Sequence, residues 1–319
     1  MTSALVLGVN GQDGSYVADV LLERGCTVTG VGRQAASRWV DPTRLNYIQL
    51  DAADSDALGA LLLRTMPDQI YHMAAVHGPA GYIYEAGWRT ALALNVASVH
   101  TCLEHMRRNS PATRLFYPSS LKAFGNPPPF EIDERTPRDS SCLYSITKNA
   151  ATDLIHYYRR HHGSWACVSY YFNHDSPRRP DTYFLPRLAA QIAASMKPDV
   201  RAPQVAGLDF WCDWGSSREF MEMTVDLVGL DAPQDVIMAT GRPVYAADLA
   251  CALAASVGAD LPPLPPRTQD APPVRARLDG LHRAIGRLAR YGALDVGKWI
   301  LAERHALAPR TLPQGTSKP

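Results

Sequence analysis

The chain has only six cysteines in 319 residues, and no two of them form a C-x-x-C pair: Cys26, Cys102, Cys142, Cys167, Cys212 and Cys251 lie far apart. That spacing argues against a zinc ribbon, a dithiol redox motif or a disulfide framework. It predicts reduced residues, mostly in the core, of a cytoplasmic protein. Excess charge of either sign is also lacking. The 32 Lys and Arg against 31 Asp and Glu leave +1, which gives no electrostatic reason to expect nucleic acid or an anionic membrane surface as partner. No apolar run approaches the ~20 residues of a membrane-spanning helix. The first residues pass directly into a strand pattern, so no secretory leader is expected. No internal repeat is found. His72 and His77 have no other metal-binding side chain clustered with them, and no metal site is expected.

What is present is a hydrophobic share of 46%, enough for a sizeable core, in a chain long enough for one large α/β domain or two smaller ones. Strand-like runs at 4–7, 27–31, 47–50, 69–73, 114–117 and 166–171 alternate with helical patterns near 14–24, 55–64, 88–108 and 144–161. This alternation predicts a Rossmann-type, doubly wound parallel sheet of the α/β class. The pattern loosens after about residue 179. We therefore expect a dinucleotide-binding core over 1–171 and a smaller C-terminal portion over 172–308. That portion should bind substrate and return some segments to the core. Pro-rich stretches at 261–266 and 271–273 read as loop, 278–301 as helical, and 309–319 as a flexible tail.

The stretch G-V-N-G-Q-D-G over 8–14 sits between the first strand and the first helix. Strand, glycine turn and helix form the context of a dinucleotide-binding fingerprint. Gly8, Gly11 and Gly14 permit a tight turn and let backbone N–H groups approach a pyrophosphate at the helix N-terminus. Asn10, Gln12 and Asp13 belong to the same turn. At the end of the second strand, NAD enzymes place an acid for the ribose 2′-hydroxyl, whereas an arginine accommodates a 2′-phosphate. Here the chain reads Gly32, Arg33, Gln34, with no acid before Asp41. Arg33 therefore favours NADP over NAD.

Y-S-I-T-K over 144–148 is the second chemical signal. A spacing of four places phenol and ammonium on one helix face. A cation there stabilises the phenolate and suits Tyr144 to take a proton from a hydroxyl while hydride leaves for a nicotinamide. Lys148 can also bond the cofactor ribose. Ser119 and Ser120 end the strand some two dozen residues earlier, and Ser120 can orient the substrate oxygen.

With these parts in order, the chain resembles the extended short-chain dehydrogenase/reductases and, within them, the GDP-mannose 4,6-dehydratases. The similarity rests on N-G-Q-D-G-S-Y at 10–16, Tyr144 to Lys148, F-N-H-D-S-P-R-R at 172–179, D-W-G at 213–215 and A-T-G at 239–241. The resemblance implies that Asn173 and nearby cations hold a nucleotide-sugar diphosphate, while His174 and Arg179 touch the cofactor. It implies that Asp51 contacts the adenine. It also implies that Ala74 and Ala75 let the cofactor pass the end of the fourth strand. A homodimer or homotetramer is expected, paired through the helices near 88–108 and 144–161 as in resembling enzymes.

The chain also departs from that family. Ser120 takes the place of the family's catalytic threonine, and Lys122 that of the glutamate that removes the C5 proton before water is eliminated. A neutral lysine can act as a base only if burial or neighbouring cations depress its pKa. Cys212 replaces a phosphate-region arginine. Arg187 and Arg218 stand at two further cationic positions and are expected to bind substrate. The expected activity is oxidation at C4 of a nucleotide-diphosphate hexose to a 4-keto intermediate, with or without elimination of water. Alternatives are a 4-epimerase, a ketoreductase, or a non-catalytic cofactor-binding homologue. Retention of Ser120, Tyr144 and Lys148 together argues against the last.

Overall fold

A computed structural model describes residues 1–78, 81–196, 207–264, 267–268 and 272–306. Strands β1 (Ser3–Leu7), β2 (Thr27–Gly32), β3 (Asn46–Gln49), β4 (Gln69–His72) and β5 (Arg114–Ser120) alternate with helices α1 (Gln12–Glu23), α2 (Ser55–Thr65), α3 (Trp88–Leu92) and α4 (Ser98–Arg108). Short β6 (Glu131–Ile132) precedes the long helix α5 (Leu143–His162) and then β7 (Ala166–Tyr171). There follow β8 (Asn173–Asp175), α6 (Phe184–Ser195), β9 (Trp211–Cys212), β10 (Trp214–Ser216), α7 (Ser217–Val228) and β11 (Val236–Met238). The chain ends through β12 (Val244–Tyr245), α8 (Ala246–Ala255), β13 (Arg275–Ala276), α9 (Asp279–Ile285) and α10 (Ala293–Ala306).

Seven strands form one parallel sheet in the order β11-β7-β5-β4-β1-β2-β3. Ala4, Leu5, Val6 and Leu7 are all buried. Consecutive apolar residues of that kind suit a central strand covered by helices on both faces. From β1 the chain winds outward through β2 and β3, then returns to build β4, β5, β7 and β11 on the other side. The order reverses between β1 and β4, and a crevice opens beyond the carboxyl ends of these strands. Two buried clusters cover the two faces of the sheet. A third joins α6, α8, α10 and Trp214 in the C-terminal part.

The six expected strands and four expected helices are all present, with shifted ends. Other expectations need correction. The sheet has a seventh strand, β11, three residues long, too short for periodicity to register. Helix α7 packs against α1 and contributes Phe220, Met221 and Met223 to the core on that face. The expected helix over 278–301 is two helices, because Gly286 ends α9 in the left-handed region at φ 71°. The helix over 88–108 contains a π-helical turn, Ala93–Ala97. Only Cys102 and Cys167 among the cysteines are buried, and Cys251 is exposed. The described parts of the Pro-rich stretches have no regular structure. Residues 309–319 lie outside the described residues. No helix among the described residues is long and apolar enough to cross a membrane.

Candidate active site

Gly8 ends β1 with φ 83°, and a Cβ there would stand 2.8 Å from the Cα of Ala74. A Cβ on Gly14 would stand 2.3 Å from the Gly8 carbonyl oxygen. The ends of β1 and β4 and the start of α1 thus approach more closely than any side chain permits. Helix α1 begins at Gly11 without a side-chain cap, so its first N–H groups are available to an anion. A cavity of about 280 Å³ opens in front of this turn and runs past Ala74 and Ala75 to Arg33 and Asp51. A cradle that a Cβ would fill, uncapped amides and an elongated groove fit a dinucleotide.

The polar side chains of the turn have other duties. Asn10 donates to Gln34 Oε1 and to the Ala36 carbonyl, each at 3.0 Å, and accepts from the Arg38 amide at 2.9 Å. It thereby shapes the loop that carries Arg33. Asp13 accepts from Gln12 at 3.0 Å and from Ser217 at 2.8 Å, and pairs with His174 Nε2 at 3.0 Å. Burial opposes the Asp13 charge, but His174, Arg179 and Ser217 outweigh it and hold the carboxyl well below its usual range. Burial likewise opposes the imidazolium of His174, yet Asp13 raises its pKa overall. The other nitrogen, Nδ1, meets the Phe172 carbonyl at 2.8 Å. Both ring nitrogens of His174 are engaged within the protein, and the ring holds Asp13 at the turn.

Tyr144, Lys148 and Ser120 come together beside the groove. A capping box between Cys142 and Ser145 starts α5 just before Tyr144. Lys148 is 2% exposed and donates to the Pro118 carbonyl at 2.7 Å. Its Nζ lies 5.7 Å from the Tyr144 ring centroid. Burial lowers its pKa to about 7, against an attraction to Asp13. Burial pushes the Tyr144 phenol above its ordinary value and the Tyr84 phenol adds to this, while the Arg179 charge and a hydrogen bond with Ser120 pull it back. Arg179 is the cation whose charge acts on the phenol in this arrangement. It pairs with Asp175 at 3.1 Å and stacks 3.9 Å over Tyr183.

Four further candidate residues are placed as follows. Lys122 lies in the turn Leu121–Ala123 with an exposed side chain. Arg218, expected to bind substrate, is bonded to Glu23 and Glu222 across α1 and α7. Asn173 donates to Cys212 Sγ, the residue at the lost arginine position. Arg187 is exposed on α6.

Other residues at the site escaped the sequence reading. Asn95, in the π-helical turn, accepts from the Val76 amide at 2.9 Å and donates to Thr147 Oγ1 at 3.0 Å. It fastens the segment after β4 to the helix of Tyr144. Its only sequence signal is one amide in an apolar helical pattern. Asp213 accepts from the Thr240 hydroxyl at 2.6 Å and the Gly241 amide at 2.7 Å, so the D-W-G and A-T-G motifs are two halves of one buried joint. The ring of His77 lies 4.8 Å from that of Tyr144, and Tyr84 stacks on Tyr144 at 5.6 Å. Among the described residues no group of three or more His, Cys, Asp or Glu could hold a metal ion.

A parallel sheet of this order, with a glycine turn at its reversal point and a Ser-Tyr-Lys set beside it, defines the class of short-chain dehydrogenase/reductase enzymes. Residues 5–262 match the sequence model of GDP-mannose 4,6 dehydratase, and the chain belongs to that family. It is 29% identical over 261 residues to a GDP-mannose 4,6-dehydratase of Yersinia enterocolitica, covering 76% of this chain and 69% of the relative. It is 28% identical over 254 residues to one of Vibrio cholerae, covering 75% and 67%. Among solved structures, the UDP-glucose 4-epimerase of Thermotoga maritima with UDP-glucose superposes with a TM-score of 0.80 at 16% identity, covering 94% of this chain and 98% of that one. That of Bifidobacterium longum in complex with NAD+ and UDP gives 0.77 at 18% identity, covering 94% and 97%.

Proposed function

We propose that the protein is an NADP-dependent enzyme that oxidises C4 of a nucleotide-diphosphate hexose. The carrying observation is the juxtaposition of Tyr144, Ser120 and Lys148 with the groove of Gly8, Gly11 and Gly14. In this reading the pyrophosphate lies on the α1 amides, Asp51 meets the adenine, and Lys148 faces the ribose. A nicotinamide bound in the groove supplies the hydride acceptor for C4. Ser120 orients the C4 oxygen, and Tyr144 takes the hydroxyl proton with Arg179 supporting the phenolate. The segments gathered by the third hydrophobic cluster, with Asn173 and Arg187, hold the sugar nucleotide.

Whether water then leaves turns on Lys122, and its exposure favours a second reading: 4-epimerisation or ketone reduction without elimination. Incubation with GDP-, UDP-, CDP- and dTDP-hexoses, followed by mass analysis of products, tests both. Loss of one water identifies a dehydratase, and an isomer of unchanged mass an epimerase. No turnover of any member refutes the function.

NADP should bind more tightly than NAD. Arg33 is exposed at the groove wall, where a charge-assisted bond to a 2′-phosphate is worth ~1.5–3 kcal/mol. Arg33→Ala should erase about one to two decades of NADP affinity by calorimetry and leave NAD unchanged. Equal wild-type affinities would sink this assignment.

The protein should also self-associate. Leu92 precedes α4, and Ile146 and Tyr157 lie on α5, all exposed apolar side chains suited to a two-fold contact with a second copy. Light scattering that returns the mass of one chain at micromolar concentration rules this out.

A further inference from the structure

We infer that His77 is a specificity-determining residue that donates a hydrogen bond from Nε2–H to a hydroxyl of the hexose one carbon away from C4. The inference rests on the sugar-nucleotide reading above and names one contact within it. His77 follows β4 two residues after the groove residue Ala75. Its side chain is exposed to solvent in the cleft, unlike that of Tyr144, which is 6% exposed. Its ring lies 4.8 Å from the Tyr144 ring and 6.1 Å from that of Tyr183. It therefore stands where a sugar that offers its C4 hydroxyl to Tyr144 must pass.

Hydrogen-bond accounting fixes which proton the ring carries. The Tyr84 oxygen accepts from the Gly78 amide at 3.4 Å and lies 3.1 Å from His77 Nδ1. A phenol has one O–H to give. With the Gly78 amide directed at its oxygen, the pairing that also uses the Tyr84 O–H has it donate to Nδ1, and this pairing leaves the hydrogen of the neutral imidazole on Nε2. Nε2 makes no hydrogen bond among the described residues. The neutral form is favoured because desolvation by the cleft wall that flanks the ring, together with the charges of Arg179, Lys148 and Lys122, lowers the His77 pKa, against a weaker opposing pull from Asp13. A locked N–H donor beside the phenol matches a hydroxyl oxygen. It also matches a phosphate oxygen, so the test must separate these two sources.

Calorimetry with GDP-mannose and with GDP, each on the NADP-loaded protein, separates them. His77→Ala should weaken GDP-mannose about tenfold or more while leaving GDP and NADP affinities within about twofold, since the lost bond goes to the sugar. His77→Gln, which restores an N–H donor, should recover part of the loss. Tyr84→Phe keeps the ring but frees the tautomer, and should weaken GDP-mannose less than His77→Ala. The nitrogen NMR spectrum of the imidazole should show the Nε2–H tautomer in the wild type and a mixture in Tyr84→Phe. Equal weakening of GDP and GDP-mannose in His77→Ala would reassign the contact to phosphate and overturn the proposal. Unchanged GDP-mannose affinity would overturn it too, with the sugar-nucleotide reading intact. If the wild type binds GDP-mannose no better than GDP, and no other nucleotide hexose is bound or turned over, both readings fail together.

Discussion

Tyr144→Phe should lower turnover of nucleotide sugar by two decades or more, with the protein folded and its cofactor affinity unchanged. The size follows from the ~10²–10⁴ that a positioned acid–base group contributes. Selectivity for chemistry follows from the surroundings. The phenylalanine ring keeps the stacks on Tyr84 and His77, and only the hydroxyl that meets Ser120 is lost. Because burial and Tyr84 raise the Tyr144 pKa in the free protein, C4 oxidation by the wild type should rise with pH above neutrality. The variant's residual rate should lose that dependence. Steady-state kinetics over pH, paired with cofactor calorimetry, check both parts. Turnover within tenfold of wild type would remove Tyr144 from the proton transfer.

Lys148→Met should abolish activity and yet make the fold more stable at about pH 6. The ammonium is buried with the Pro118 carbonyl as its hydrogen-bond partner, and its pKa falls from 10.5 to about 7. A tenfold change in an acid dissociation constant corresponds to ~1.4 kcal/mol between the charged and neutral forms. Below the folded value, both folded and unfolded chains carry the proton, and the full cost of burying the charge opposes folding. Between the two values the unfolded chain binds a proton that the folded chain lacks, so wild-type stability on account of this residue rises with pH. Methionine fills a similar volume without a charge. The gain should therefore be on the order of 2 kcal/mol or more at about pH 6, reduced by the carbonyl left unpaired. It should shrink toward about pH 10. Urea titrations at both pH values measure it, and a variant less stable than wild type at the lower pH contradicts the argument.

The alternation of apolar runs made six of the seven sheet strands legible, because strands covered on both faces are rich in apolar residues. The glycine turn was legible for the same local reason. Gly8, Gly11 and Gly14 act within seven residues of one another, so their spacing carries their geometry. Tyr144 and Lys148 share one helix face by periodicity alone. The charge next to the groove was legible as well, since Arg33 directly follows β2.

What escaped was every relation that requires distant segments to meet. Asp13, His174 and Ser217 form one buried network from three parts of the chain. Arg179 reaches Tyr144, and Arg218 turns away to Glu23 and Glu222, through packing that no spacing encodes. Strand β11 and helix α7 return to the core because the edge beside β7 and the face of α1 are there to receive them. By itself, then, the sequence determined the class of fold, the glycine turn and the shared helix face of Tyr144 and Lys148, all products of local periodicity and conformational constraint. Only the tertiary structure decided which charges pair, which histidine faces the cleft and which lysine is buried. Burial and partnership are properties of the closed chain, set by what stands opposite each side chain in space.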